Sequence, residues 1–236
     1  MKICRIRRSS QDLWGVISNG DVCELIGSPY DFSGIGSKIC SLEEAVFLPP
    51  LYQTNKVPAI AANYGEKDAR DGPGIFMKQP GTYLAHCGSI VYPRGCKTVI
   101  HEAELGIVIG KEARHVEENN ALEYVLGYTC VNDVSGREMT QSDEGKGLSM
   151  RWKHFDTFCP MGPFIETSVE TPMNLEIECF VNGELSASGN IFLRVNGKTD
   201  ASLGLDMRTQ LLSGYLPMLL HANPKSALVI LSLIHI

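Results

Sequence analysis

The sequence predicts an α+β fold in which short strands outnumber helices. The apolar runs of this 236-residue chain are brief and rich in β-branched residues, as buried strands are. Asn19-Gly20 separates two such runs, Leu13–Ile17 and Val22–Ile26, and an Asn-Gly pair in that position predicts a β-hairpin. Mixed strands with few helices favour an α+β fold over a doubly wound sheet, in which strands and helices alternate.

The N-terminal part, residues 1–52, is predicted to be a small β-rich domain that contains this hairpin. A short helix is expected at Leu42–Val46, because Ser41 and Glu44 match a capping box and Pro49-Pro50 would end the helix.

The remaining part, residues 56–236, is predicted to be a larger domain. Its clearest helix is Glu118–Tyr124. The apolar runs that predict strands are Val57–Ile60, Ser89–Tyr92, Leu105–Ile109, Leu175–Phe180 and Ile191–Val195.

The composition describes a soluble globular chain, with 44% hydrophobic and 20% charged residues. A net charge of −6 gives no indication of a nucleic-acid partner. The longest apolar run, Ala227–Ile236, is too short to span a membrane. The eight cysteines form no C-x-x-C pair, and no signal peptide is visible, so we expect reduced thiols and a cytoplasmic protein.

Two acidic residues, Glu102 and Glu104, stand next to the apolar run Leu105–Ile109. On a strand both carboxylates would leave the same face, roughly 6.6 Å apart along the chain. A third acid, Asp133, follows the next apolar run. Three oxygen donors favour magnesium, manganese or calcium over zinc. The alternative is that the two glutamates form the solvated face of an edge strand.

Several motifs occur in an order that resembles the fumarylacetoacetate hydrolase family. The resemblance extends from Lys56 to Glu184 and weakens beyond it. Its motifs are Asn63-Tyr64, Pro73–Lys78, Glu102-x-Glu104, Gly127-Tyr128, Asn132–Arg137, Lys153–Phe158, Gly162-Pro163 and Val181–Glu184.

The resemblance implies a mixed β-roll with a small β-rich N-terminal domain, and a homodimer. It implies that Glu102, Glu104 and Asp133 hold a divalent cation, Mg²⁺ or else Mn²⁺ or Ca²⁺. By the same resemblance Lys153 is the expected catalytic residue, and Lys78 and Gln141 are expected to bind a small carboxylate substrate. Without a cation, the three carboxylates are expected to repel one another.

Two departures from the family pattern bear on function. Lys67 and Arg70 stand where the hydrolases carry a His-x-x-Glu dyad that activates water. The family's Gly-Thr-Pro segment does not appear before Ile236, so we expect a chain truncated at its C-terminus.

The sequence therefore predicts a metal-dependent enzyme that acts on a small 2-oxo acid or 1,3-dicarbonyl acid. C–C bond cleavage, decarboxylation or isomerisation fits better than hydrolysis. The alternatives are an impaired pseudoenzyme or metal-binding module, and a truncated chain without a stable fold.

Overall fold

Five antiparallel strands account for most of residues 1–48. The computed structural model describes residues 1–61, 74–139, 151–169, 175–190, 194–195, 198–199 and 227–232. The first strands are β1 (Lys2–Arg8), β2 (Gln11–Ser18), β3 (Asp21–Ser28), β4 (Asp31–Ser41) and β5 (Val46–Leu48). The hairpin predicted from Asn19-Gly20 is confirmed, because these residues join β2 to β3 with φ values of 50° and 81°, as a type I′ turn requires.

Strands also dominate the rest of the described chain. They are β6 (Val57–Ala61), β7 (Gly74–Lys78), β8 (Tyr83–Leu84), β9 (Val99–Ile100), β10 (Ala103–Ile109), β11 (Val125–Asn132), β12 (Ser135–Gly136), β13 (Cys159–Pro160), β14 (Phe164–Glu166), β15 (Glu176–Val181), β16 (Glu184–Asn190), β17 (Arg194–Val195), β18 (Lys198–Thr199) and β19 (Ala227–Ser232). Short 3₁₀ helices cover Pro80–Thr82, Glu118–Tyr124 and Arg151–Lys153. The β-rich character of the predicted fold is confirmed, and its α component stays a prediction.

Eleven strands form one mixed sheet. Its order is β4-β3-β2-β1-β14-β11-β10-β19-β6-β7, with β5 paired to β1. Strands β14 and β5 share one edge of β1, since Lys2–Cys4 pair with β14 and Arg5–Arg7 pair with β5. The sheet is therefore continuous across the predicted boundary near residue 52. The division into two domains stays a prediction.

Close approach of β11 and β14 depends on Gly127. A Cβ atom at this position would lie 2.4 Å from the carbonyl oxygen of Glu166, which is a clash. Glycine thus lets the two strands meet where Tyr128 pairs with Glu166. The Gly127-Tyr128 motif consequently has a packing role, and it fixes the strand that leads to Asp133.

The main apolar core joins the N-terminal strands to the strands around the acidic residues. Its buried members are Ile3, Val16, Leu25, Leu51, Val57, Ala59, Phe76, Val108, Val131, Cys159, Met161 and Ile165. Since residues from both predicted domains are in one cluster, burial of apolar surface stabilises them together.

Two predicted elements are wrong. Residues 42–44 form a turn instead of a helix, and Val46–Leu48 extend as β5 along β1. The run Ser89–Tyr92 is not a strand, because the backbone N–H of Val91 donates to Thr157 Oγ1 and the side chain of Val91 is 59% exposed. The predicted run Ile191–Val195 lies partly outside the described residues. None of the helices among the described residues is long and apolar enough to cross a membrane.

Candidate metal and substrate site

Three buried carboxylates meet where two neighbouring strands begin and end. Glu104 lies in β10, Glu102 immediately precedes that strand, and Asp133 immediately follows β11. Pairing of Ala103 with Asn132 brings these strand ends side by side. The three residues each offer an oxygen within 4.8 Å of the others, and their exposure is 4%, 1% and 0% for Glu102, Glu104 and Asp133. The alternative of a solvated edge strand is therefore wrong, because β10 lies between β11 and β19.

Hydrogen bonds from the neighbouring backbone and side chains fix Glu102 and Asp133. The N–H of Asp133 donates to the carbonyl oxygen of Glu102 at 2.9 Å. The N–H of Glu102 donates to Asn132 Oδ1 at 3.1 Å, and Ser135 Oγ donates to Glu102 Oε1 at 2.7 Å. Sequence reasoning missed the roles of Asn132 and Ser135. Ser135 stands two residues after Asp133, which is the spacing that puts side chains on one face of an extended segment.

The ammonium group of Lys153 lies between two of the carboxylates. Its Nζ donates to both oxygens of Glu102 at 3.0 Å and also to Asp133 Oδ2. It lies 5.1 Å from the ring centroid of Phe76. Burial works against the charge, but attraction to Asp133 and then to Glu102 outweighs it and raises the pKa of Lys153. Lys153 is therefore a stable cation in this site.

Lys78 provides a second buried cation on the other side of Asp133. Its Nζ donates to Asp133 Oδ1 at 2.8 Å and to the carbonyl oxygen of Lys153 at 2.7 Å, and the residue is 1% exposed. Both predicted site lysines thus lie beside the carboxylates. The expectation that the carboxylates repel without a cation is wrong for Glu102 and Asp133, because the two ammonium groups compensate them.

Two further titratable groups border this cluster. Burial and then the charge of Lys78 lower the pKa of His154, against a hydrogen bond with the backbone of Met77 that raises it. The ring is therefore neutral near pH 7. Burial raises the pKa of Cys159 to about 12, so its thiol stays protonated and is a poor nucleophile. Sequence reasoning missed His154, which directly follows Lys153 in the motif that carries it.

Other residues expected at the site lie outside the described residues. They are Gln141, the dyad positions Lys67 and Arg70, and the Asn63-Tyr64 motif. Their expected roles stay predictions.

The chemistry of the donor set fits a hard divalent cation. Glu102, Glu104 and Asp133 present carboxylate oxygens, and oxygen-rich sites suit Mg²⁺, Mn²⁺ and Ca²⁺. With all five charged side chains ionised, three negative and two positive charges leave the cluster with a net charge of −1. A divalent cation would reverse that sign and attract an anionic ligand.

Several known proteins are similar to this chain in sequence. Residues 53–194 match the family model described as fumarylacetoacetate (FAA) hydrolase C-terminal. An uncharacterised protein of Methanocaldococcus jannaschii is 44% identical over 118 residues, which are 50% of this chain and 48% of that protein. The mitochondrial oxaloacetate tautomerase of Homo sapiens is 37% identical over 155 residues, 62% of this chain and 49% of that protein. The chain thus spans about half the length of these curated relatives.

Solved structures agree with the sequence matches. A protein from Mycobacterium abscessus is 28% identical with a TM-score of 0.77, over 98% of this chain and 87% of that one. The 5-carboxymethyl-2-hydroxymuconate delta-isomerase of Mycobacterium smegmatis is 27% identical with a TM-score of 0.74, over 98% of this chain and 88% of that one. The family model covers more than half of the chain and includes all the acidic and basic residues of the site. The chain therefore belongs to the fumarylacetoacetate hydrolase family.

Proposed function

We propose that this chain is a divalent-metal-dependent enzyme that isomerises a small 2-oxo acid or 1,3-dicarbonyl acid. The observation that carries the proposal is the buried cluster in which Lys153 Nζ contacts Glu102 and Asp133, with Glu104 beside them. C–C bond cleavage and decarboxylation of the same acids pass through similar enolate chemistry, and they are the next reactions to test.

Burial of five charged side chains has little value for stability. Removing a carboxylate and an ammonium group from water costs several kcal/mol per ion, and well-packed apolar residues often stabilise a protein equally well. The family model covers the whole cluster. We therefore attribute it to binding and catalysis.

The residues of the site have distinct roles in this proposal. Glu102, Glu104 and Asp133 would hold the cation, which when bound supplies Lewis acidity to the carbonyl oxygens of the substrate. Lys153, whose ammonium lies beside Glu102 and Asp133, stabilises negative charge that develops on a substrate oxygen. Lys78 holds the main chain at Lys153 in place through the carbonyl oxygen of that residue.

Isomerisation is favoured over hydrolysis by the dyad positions. Lysine near its reference pKa of about 10.4 is a poor general base at neutral pH, and arginine keeps its proton. Lys67 and Arg70 therefore offer no evident activation of water. Relatives with named activities include the tautomerase at 37% identity and the isomerase at 27% identity, and tautomerisation and isomerisation consume no water.

The test is the interconversion of keto and enol oxaloacetate, followed by the ultraviolet absorbance of the enol with and without Mg²⁺ or Mn²⁺. We expect turnover that requires the cation, and Lys153→Met should lower it by about 10²–10³-fold, as loss of one electrostatic stabiliser does. Lys38→Met is the matched control, since Lys38 is an exposed lysine paired with Asp21 on the N-terminal strands.

Two results would contradict the proposal. Turnover without any divalent cation would remove the metal from the reaction. Cation binding without turnover of oxaloacetate, acylpyruvates or related dienoates would favour the alternative of a metal-binding module. Acylpyruvate hydrolysis tests the dyad directly. It should be very slow in the parent chain and should rise in the double variant Lys67→His with Arg70→Glu, because a general base typically contributes about 10²–10⁴-fold to the rate.

We also propose a homodimer, a cytoplasmic location and a small carboxylate substrate, on the basis of the family resemblance. Sedimentation of the purified chain tests the first of these.

A further inference from the structure

The ammonium group of Lys153 lies between Glu102 and Asp133, two of the residues that would hold a cation. Its Nζ is 3.0 Å from each oxygen of Glu102, so it faces the carboxylate symmetrically. It also contacts Asp133 Oδ2. The same carboxylates belong to the group whose oxygens lie within 4.8 Å of one another.

Every oxygen of these two carboxylates already accepts a hydrogen bond from an ammonium group. Glu102 Oε1 accepts from both Ser135 and Lys153, and an oxygen of this kind has about two lone-pair sites. Asp133 accepts from Lys78 on Oδ1 and from Lys153 on Oδ2. A cation held jointly by Glu102 and Asp133 would have to approach oxygens that the ammonium already engages.

Charge repulsion determines whether a cation and the Lys153 ammonium can bind these carboxylates together or must replace one another. Mg²⁺ and Ca²⁺ bind carboxylate oxygens at about 2.0–2.6 Å. An ammonium 3.0 Å from the same oxygens of Glu102 would then lie only a few ångströms from a divalent charge. Such repulsion is strong inside a protein, where water screens little.

The two lysines make different kinds of contact. Lys78 is tied to Asp133 and to the carbonyl oxygen of Lys153. That second bond holds the main chain of Lys153 and does not involve its side chain. A change in the direction of the Lys153 side chain would therefore leave this backbone contact intact.

We propose that Lys153 is an exchangeable counter-ion, which neutralises Glu102 and Asp133 until a divalent cation displaces its ammonium toward the bound substrate. This inference rests on the proposed metal dependence. It adds that loading of the cation and presentation of Lys153 to an anionic substrate are a single event. The ammonium that leaves the carboxylates then needs a new anionic partner, which a 2-oxo acid supplies.

The first experiment measures Mn²⁺ affinity by isothermal titration at one pH, without substrate, in the parent, Lys153→Met, Lys153→Arg and Lys38→Met. If the form with a displaced ammonium is about 10% populated, loss of the competitor tightens binding about tenfold in Lys153→Met. Lys153→Arg keeps the charge and should show no such gain. Equal affinity in the parent and Lys153→Met would overturn the exchange.

Glu104→Gln separates this inference from the proposed function. If the parent binds no Mn²⁺, or if Glu104→Gln binds it as well as the parent, the metal site itself is wrong. If Glu104→Gln loses Mn²⁺ but Lys153→Met gains nothing, the metal site stands and the exchange fails.

A crystal structure of the parent chain with Mn²⁺ gives a second readout that does not depend on folding of any variant. We expect the ion, located by anomalous scattering, beside Glu102 and Asp133, and Lys153 Nζ beyond hydrogen-bonding distance of Glu102. An ammonium still bonded to both oxygens of Glu102 beside the bound ion would overturn the exchange.

Discussion

The N-terminal strands and the acidic site use the same ion pair in opposite surroundings. Lys38 Nζ and Asp21 Oδ1 are 2.8 Å apart, with side-chain exposures of 56% and 33%. Lys78 Nζ and Asp133 Oδ1 are also 2.8 Å apart, with exposures of 0% and 0%. Two ion pairs of equal length therefore differ in the strength of their electrostatic interaction, because water screens the first pair and is excluded from the second. Distance alone is a poor guide to what an ion pair contributes.

The largest effect is expected from breaking the buried pair. Lys78→Met leaves Asp133 without one of its two compensating cations and releases the carbonyl oxygen of Lys153, so we expect a loss of about 3–5 kcal/mol in the free energy of unfolding. Lys38→Met removes a pair of the same length and should cost far less. Urea denaturation of both variants measures the difference. Similar losses of stability in Lys78→Met and Lys38→Met would show that burial does not make the Lys78 ion pair more important than the exposed one.

The next effect is stabilisation by a cation. A divalent cation at about 100 times its dissociation constant should add about 2.7 kcal/mol to the free energy of unfolding if it binds the folded chain alone. Glu104→Gln should abolish most of this gain, because it removes one of the three carboxylates. Glu43→Gln, at an exposed position of the N-terminal part, should keep it. Thermal melting with and without Mg²⁺ checks this, and an unchanged shift in Glu104→Gln would contradict the site.

A smaller effect is expected from one hydroxyl group. Ser135→Ala removes a hydrogen bond of 2.7 Å to Glu102, and a hydrogen bond to a buried charged group contributes about 1.5–3 kcal/mol. Ser33→Ala is the matched control, because Ser33 Oγ lies 3.5 Å from the carbonyl oxygen of Ile26 on the exposed N-terminal strands. Urea midpoints of the two variants should differ clearly. A neutral Ser135→Ala would mean that water replaces the hydroxyl at Glu102.

The smallest expected effect concerns the carboxylate of Glu138, which hydrogen bonds stabilise. Hydrogen bonds from its own backbone and then from Thr98 lower the pKa of Glu138 to about 2. The pKa of Glu138 in the folded chain lies below the usual value of 4.5. Its carboxylate therefore contributes to the free energy of unfolding above pH 4.5, and this contribution is lost as the pH falls toward 2. Glu138→Gln should therefore lose less stability than the parent between pH 5 and pH 3. Parallel pH profiles would refute the shift.

Local patterns were sufficient where structure is determined locally. The Asn19-Gly20 hairpin and the helical segment Glu118–Tyr124 were predicted at their observed positions. The capping-box pattern at Ser41 also formed its contact, since Glu44 Oε2 accepts from the N–H of Ser41 at 3.3 Å. A helix did not follow, because pairing of β5 with β1 competes with it and involves residues about 40 positions away in sequence.

Prediction of the site from local sequence patterns was limited in the same way. The spacing of Glu102 and Glu104 is local, and it was sufficient to predict an acidic group. The compensation of that group is not local, because Lys78 and Asp133 are 55 residues apart and Lys153 and Glu102 are 51 apart. From the sequence alone, three neighbouring carboxylates are expected to repel one another. In the folded chain, Lys78 and Lys153 pair with Asp133 and Glu102 and compensate their charge.

The bond from Lys78 to the carbonyl oxygen of Lys153 makes position 153 replaceable. A carbonyl oxygen is common to every residue type, so this anchor does not depend on which side chain stands at 153. An engineer, or natural variation, could exchange that side chain and keep the backbone at this position where it is. Position 78 cannot be substituted in this way, because the Lys78 ammonium group itself donates the hydrogen bond. The chemistry of this site can therefore be redesigned at 153, with 78 kept as the fixed support.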